Sequence, residues 1–227
     1  MAIAGVTNNL WLPANNVGTV LTRALAQNAA AGSLLVAVSS NTTDETSTFT
    51  DNNGNTWTPI ANIFHGSMGL RVTAAYAKNV NAGATTVQVQ SATSGFRSLC
   101  VAEYTGVDTV NALMGTPVSA QASATASNPD PGAITGASAG LYIGCGHVYP
   151  TDDPTVGTGY TKRLGTNFGG NSYYFVLEEK ISASPLTNEH PKYNINEDYW
   201  LMLGFAFKDA SASAAGNAPR AFNQLSQ

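Results

Sequence analysis

The sequence predicts an all-β fold, a β-sandwich of jelly-roll type, and three observations carry that expectation. Short apolar runs alternate with polar residues at a period of two, as half-buried strands require; Val87 and Val89 face one way, against Thr86, Gln88 and Gln90. Turn formers separate the runs at Asn53-Gly54, Asn79 to Gly83, Asn128 to Gly132, Asp152 to Pro154 and Gly169 to Asn171. Helical signals are poor: even the Ala-rich stretch 20–31 lacks an apolar stripe at helical spacing.

Taken in order, residues 1–16 read as an N-terminal arm, and VGTVLTRAL (17–25) supplies the first strand. In GSLLVAVSS (32–40) the segment LLVAV is apolar throughout, as in a strand covered on both faces. DNNGNTWTPI (51–60) is an Asx-rich hairpin, and in GLRVTAAYAKNV (69–80) Leu70, Val72, Ala74 and Tyr76 share one face. TTVQVQS (85–91) and RSLCVAEYTGV (97–107) complete the first half.

The second half repeats this itinerary. Its stops are AGLYIGCGHVY (139–149), GTGYTKRLG (157–165), SYYFVLEEKI (172–181), PKYNINE (191–197) and YWLMLGFAFKD (199–209). Leu141, Ile143 and Cys145 share a face in the first of these, and placing Leu99 on Leu201 also places Val101 on Leu203 and Lys78 on Lys180. A period of roughly 100–108 residues is too long for a solenoid, whose units run about 20–50. We read pseudo-repeats at 17–107 and 139–209 as facing layers of one domain spanning 17–209, because either half alone would leave an apolar face uncovered. The Ala/Ser/Thr-rich connector 108–138 carries a weak edge strand at 117–125, and 210–227 is a flexible C-terminal arm.

Composition narrows the function classes. Of 227 residues, 43% are hydrophobic and only 11% charged, so a large core lies under a neutral, amide- and hydroxyl-rich surface. The net charge of −4, with no Lys/Arg cluster, argues against a nucleic-acid partner. The longest strongly apolar run, YWLMLGFAF (199–207), is far shorter than the roughly 20 residues of a membrane span. MAIAGVTNNLWLP has no basic segment followed by an apolar one, so no secretory leader is expected.

No catalytic constellation stands out, and no enzyme activity, cofactor or metal is expected. His65, His147 and His190 show no ligand spacing, and Cys100 and Cys145 read as small apolar fillers of strands. Asp51-Asn52-Asn53-Gly54-Asn55 has its Gly two places early for a calcium loop, and hairpin chemistry explains it more economically. Glu103, Glu178 and Glu179 lie within apolar strands; a glycosidase pair is one reading, and pairing with Lys78, Arg97 or Lys180 on sheet edges the simpler one. Among the aromatics, Tyr149, Tyr160 and Tyr193 fall at strand ends or in loops, where they would suit a glycan. Trp11 and Leu12 in one arm, and Arg220, Phe222 and Leu225 in the other, are the candidate anchors on a protein partner.

The run DNNGNTW, LRVTAAYAKNV, GATTVQVQS and SLCVAEYTGV resembles a β-sandwich module of tailed-phage virion proteins and related bacterial surface and adhesin proteins. The closing WLMLGFAFKD is similar to the last strand of such modules, so the resemblance covers roughly residues 17–209. It implies a fold and no catalytic residue. It also implies a structural protein of the virion exterior, made in the host bacterial cytoplasm: a capsid decoration (cement) protein. Its expected partners are the major capsid protein or another virion protein, and further copies of itself in a symmetric oligomer, a trimer being one arrangement. The alternative is a carbohydrate-binding or adhesin module, on a tail or cell surface, that takes a host glycan on its aromatic loops.

Overall fold

The alternating runs pair into antiparallel sheets of 7, 5 and 2 strands, none of them closed, consistent with a sandwich. A computed structural model describes residues 2–83, 85–122, 128–149, 154–167, 174–195 and 199–210. The first sheet holds β1 (Ala4–Gly5), β2 (Leu12–Ala24), β3 (Leu34–Asn41), β4 (Thr48–Asp51), β5 (Trp57–His65), β6 (Leu70–Ala77) and β7 (Thr86–Thr105). There follow β8 (Leu113–Ala122), β9 (Gly140–Val148), β10 (Thr155–Val156), β11 (Thr161–Asn167), β12 (Tyr174–Ser182), β13 (Tyr193–Asn194) and β14 (Trp200–Lys208). Of these, β10 and β13 pair with each other and the rest form the second sheet. Among the described residues one 3-10 turn, Thr7–Asn9, interrupts the first strands.

Strand order is the same in both large sheets. The first contains the run β2-β7-β3-β6-β5 and the second the run β8-β14-β9-β12-β11, so corresponding elements of the two halves occupy corresponding places. The small ribbon matches too: β4 pairs with residues 87–90 of β7, as β10 pairs with β13. Each half also carries a bulge in the same strand, at Ile60 in β5 and at Arg163 in β11.

These bulges correct the register read from sequence. They are 103 residues apart (163 − 60), as are Trp57 and Tyr160 (160 − 57), whereas placing Leu99 on Leu201 uses 102 (201 − 99). Strand faces alternate every residue, so that difference of one swaps the two sides of the sheet. Leu99 and Val101 pack outward with Leu35, Ala37 and Ala75, while Leu201 and Leu203 pack inward with Ile143 and Cys145.

The two sheets share one interior. Val36, Val38, Val72, Ala74, Cys100 and Ala102 of the first meet Leu141, Ile143, Phe175, Leu177, Leu203 and Phe205 of the second. Tyr76 sets its edge against Phe207 with ring centroids 5.4 Å apart. Cys100 and Cys145 are free thiols in this core, and burial pushes both well above the usual thiol range. On each outer face a smaller apolar cluster lies under the ribbon: Phe49, Val87 and Val89 in the first half, Tyr193 and Ile195 in the second.

Two sequence readings change. Residues 85–91 and 97–107 are not separate strands but one strand of 20 residues. Its bend is held by buried Arg97, which donates from Nε to the Gly18 carbonyl at 2.9 Å and from Nη2 to Ser91 Oγ at 2.6 Å. The segment read as an N-terminal arm joins the first sheet: β1 pairs with β7, Trp11 is 3% exposed, and β2 begins at Leu12 rather than at 17. The edge strand expected at 117–125 in the connector is β8, which begins earlier, at Leu113, and pairs with β14 at the edge of the second sheet, while Ile134 of the connector is buried against that sheet's outer face. Beyond Ala210 the C-terminal arm, with Arg220, Phe222 and Leu225, lies outside the described residues.

Candidate functional site

The three strand carboxylates are interior groups. Glu103 is fully buried and accepts from Asn9 Nδ2 at 2.5 Å, the Ala30 amide at 2.7 Å and Ser33 Oγ at 2.8 Å, tying the first turn to the loop before β3. Glu179 accepts from Trp11 Nε1 at 2.7 Å, from the Tyr104 hydroxyl and from Arg163 Nη2 at 2.6 Å, which joins the sheets through their common core. None of the three is seen paired with Lys78, Arg97 or Lys180: Lys180 instead bonds Glu189 at 2.9 Å, and Lys78 donates to the Val110 carbonyl. Donors supplied by distant segments replace the edge-strand salt bridges anticipated from sequence.

Glu178 points the other way, under the second ribbon. Its Oε2 accepts from the Gly157 amide at 3.0 Å, and its Oε1 has no partner. Burial, opposed in part by that hydrogen bond, pushes its carboxyl up to about 8. His147 is stacked on Phe175 with centroids 5.0 Å apart, and burial lowers its imidazole to about 3.

These shifts set a pH dependence of stability. Glu178 holds its proton more tightly folded than unfolded, so its contribution is complete below about 4.5 and is lost as pH rises through about 8. His147 holds its proton less tightly folded, so its contribution is present above about 6.5 and is lost as pH falls toward about 3. Above pH 6.5 only the carboxyl acts, and stability is expected to fall by about 1–2 kcal/mol toward pH 8. Urea titrations of Glu178→Gln across that range should be flat where wild type slopes downward; an equal slope in both would dissociate it from Glu178.

The aromatics proposed for glycan contact are not presented together. Tyr193 is 0% and Tyr160 8% exposed, each packed beneath loops of the second sheet, and only Tyr149 is half-buried. Tyr193 fills the small cluster with Val176, Trp200 and Met202, while Lys180 lies 5.5 Å over the Tyr160 ring. Strand-end position signalled exposure, and the β10–β13 ribbon removed it. Trp11 is likewise unavailable to a partner, and Leu12 beside it is half-buried.

An open feature lies on the outer face of the first sheet. A cleft of about 390 Å³ runs between β4 and the bulged part of β5, over β6. Pro59 lacks a ladder donor, and the bulge at Ile60 bends the edge strand there. Phe49 and Trp57 form an apolar wall, their rings stacked at 5.9 Å and 25°, and Trp57 Nε1 is fixed by Asp51 Oδ2 at 2.7 Å. Asp51 Oδ1 also accepts from the Asn53 amide at 2.8 Å, so the Asx-rich hairpin orients the indole.

Pro59, Ile60, Ala61, Ala74 and Ala75 add apolar surface, and Thr46, Ser47, Thr48, Asn62 and Thr73 bring hydroxyl and amide groups. Asn62 Oδ1 is held by Arg71, and Ser47 Oγ accepts from Asn41 Nδ2 at 3.1 Å. Thr73 is 3% exposed and its hydroxyl has no partner; Ser39, directly across the ladder, is 1% exposed with its hydroxyl equally unpartnered. The GNTW hairpin motif followed by Pro was the available signal, although the Thr73 side could come only from sheet register. Among the described residues no group of three His, Cys, Asp or Glu is placed to hold a metal, and no helix is long and apolar enough to cross a membrane. No protein-family model, curated protein or solved structure matches this chain, so its residues and their geometry alone carry the functional reading.

Proposed function

We propose that this chain is a non-catalytic structural module of a tailed-phage virion exterior, a decoration protein that stabilises the head lattice by protein–protein contacts. Its jelly-roll-type sandwich of two pseudo-repeated halves is the platform, and its partners are the major capsid protein and further copies of itself in a symmetric oligomer. A ligand that prefers the assembled state stabilises that state by mass action, which is the whole mechanism.

The observation that supports this reading is where the charges go. Arg97, Glu103, Asp108, Glu178, Glu179 and Asp209 are all buried, in a chain with only 11% charged residues. Five of its fourteen acids are thus withdrawn into the interior, and the outward surface left behind is sparsely charged and polar, suited to close packing in a lattice with little charge repulsion. With Trp11 inside the sandwich, the C-terminal segment carrying Arg220, Phe222 and Leu225 is the stronger candidate anchor.

Cosedimentation tests it. Full-length protein should be retained at saturation on phage heads assembled in its absence, and a chain ending at Ala210 should bind at least about tenfold more weakly, the equivalent of losing one or two buried apolar anchors. Recovery of all the protein in the supernatant with both unexpanded and expanded heads would reject the assignment.

A further inference from the structure

We propose that the cleft between β4 and β5 binds a neutral saccharide ring. The inference stands apart from the assignment to a phage particle, because it depends only on the outer face of the first sheet.

A pyranose ring presents weakly polar C–H faces and a rim of hydroxyls that both donate and accept. The cleft offers the complement. Trp57, braced by Phe49 and pinned by Asp51, supplies a flat apolar wall, and Thr46, Ser47, Thr48, Asn62 and Thr73 supply neutral donors and acceptors. No charged side chain lines it, which disfavours phosphates, sialic acids and other anions as occupants. Its volume of about 390 Å³ falls within the roughly 300–1,000 Å³ of small-molecule sites.

Thr73 gives the sharpest indication. A buried hydroxyl left without a partner is costly, because it has given up its hydrogen bonds to water and gained none in return. Thr73 lines the cleft and its Oγ1 is buried without a partner, so a ligand hydroxyl that reached it would supply the missing bond. The repeat shows that this opening is not forced by the fold. In the second half the counterpart of Trp57 is Tyr160, which is buried, and its surroundings are filled by Val156 and Leu186.

The test uses full-length protein and the indole N–H resonance of Trp57, titrated with glucose, galactose, mannose, N-acetylglucosamine and their disaccharides. Sialyllactose and a short Phe-containing peptide matching residues 218–227 serve as the competing ligand classes. At least one neutral sugar should shift the resonance with a dissociation constant of roughly millimolar strength or tighter. Thr73→Val keeps the shape and removes the hydroxyl; it should weaken that binding about fivefold or more while leaving the melting midpoint unchanged or raised. Asn62→Ala, on the exposed rim, provides a second variant with the same expected loss. The inference is overturned if no neutral sugar binds, if only the peptide or the sialylated sugar does, or if both variants bind as wild type does.

Discussion

Replacing Glu179 by Ala should lower stability by about 3–5 kcal/mol, the usual cost of removing one side of a buried charged cluster. Glu179 is 3% exposed on the inner face of β12, and its carboxylate is the acceptor for two buried donors of the opposite sheet, Trp11 Nε1 and Tyr104 O–H. Arg163, from its own sheet, has a side chain 33% exposed and can turn to water when released; the other two cannot. Two unpaired donors at about 1–3 kcal/mol each reach the stated total without further assumptions.

Trp11 adds to the effect. Its φ of 47° lies in the left-handed region, which a bulky residue occupies only under constraint. The Nε1 bond to Glu179 and the edge contact with Tyr104 at 6.3 Å supply that constraint. A domain of this size shifts its melting midpoint by about 2–4 °C per kcal/mol, so a drop of roughly 6–20 °C is expected. The triple variant Trp11→Phe, Tyr104→Phe, Glu179→Leu, which removes donors and acceptor together, should recover much of the loss. A Glu179→Ala midpoint within about 2 °C of wild type would mean that the sheets do not depend on this bridge.

Which parts of this were legible in sequence follows from the range of the interactions. Alternation is local, and it placed Leu70, Val72, Ala74 and Tyr76 together on the inner face, as it did Leu141, Ile143 and Cys145. The continuous run LLVAV correctly indicated a strand covered on both sides, with Val36 and Val38 inward and Leu35 and Ala37 outward. The bend in β7 was not legible, because Ala92 to Gly95 has turn composition and the Arg97 contacts that keep it in the ladder reach back to Gly18. Nor were the carboxylate partners: Glu103 is served from Asn9, Ala30 and Ser33, and Glu179 from Trp11 and Tyr104. The cleft was half legible. Asp51 and Trp57 lie in one hairpin, but Thr73 joins them only through pairing with Asn62 across a bulged ladder.

Gly146→Ala should be more damaging than its single methyl suggests, costing more than about 3 kcal/mol, at the upper end of overpacking effects. Gly146 sits in β9, the central strand of the second sheet, opposite Met202 of β14. A Cβ built there falls 2.0 Å from the Leu201 carbonyl oxygen and 2.9 Å from Met202 Cα. Those atoms are backbone in the neighbouring strand, so relief requires moving the β9–β14 ladder itself rather than rotating a side chain. That ladder carries Leu201, Leu203, Phe205 and Phe207 into the common core, so the displacement reaches the packing between the sheets. Gly54→Ala is the informative contrast. Its φ is 68° at a hairpin tip with nothing within 4 Å of the new methyl, so only the left-handed backbone penalty of about 1 kcal/mol applies. Urea midpoints should therefore rank wild type, Gly54→Ala and Gly146→Ala in descending order. The last should also show reduced soluble yield, since folding of the second sheet requires the close approach that the methyl blocks. A Gly146→Ala midpoint at or above that of Gly54→Ala would mean that β9 and β14 are not packed this tightly.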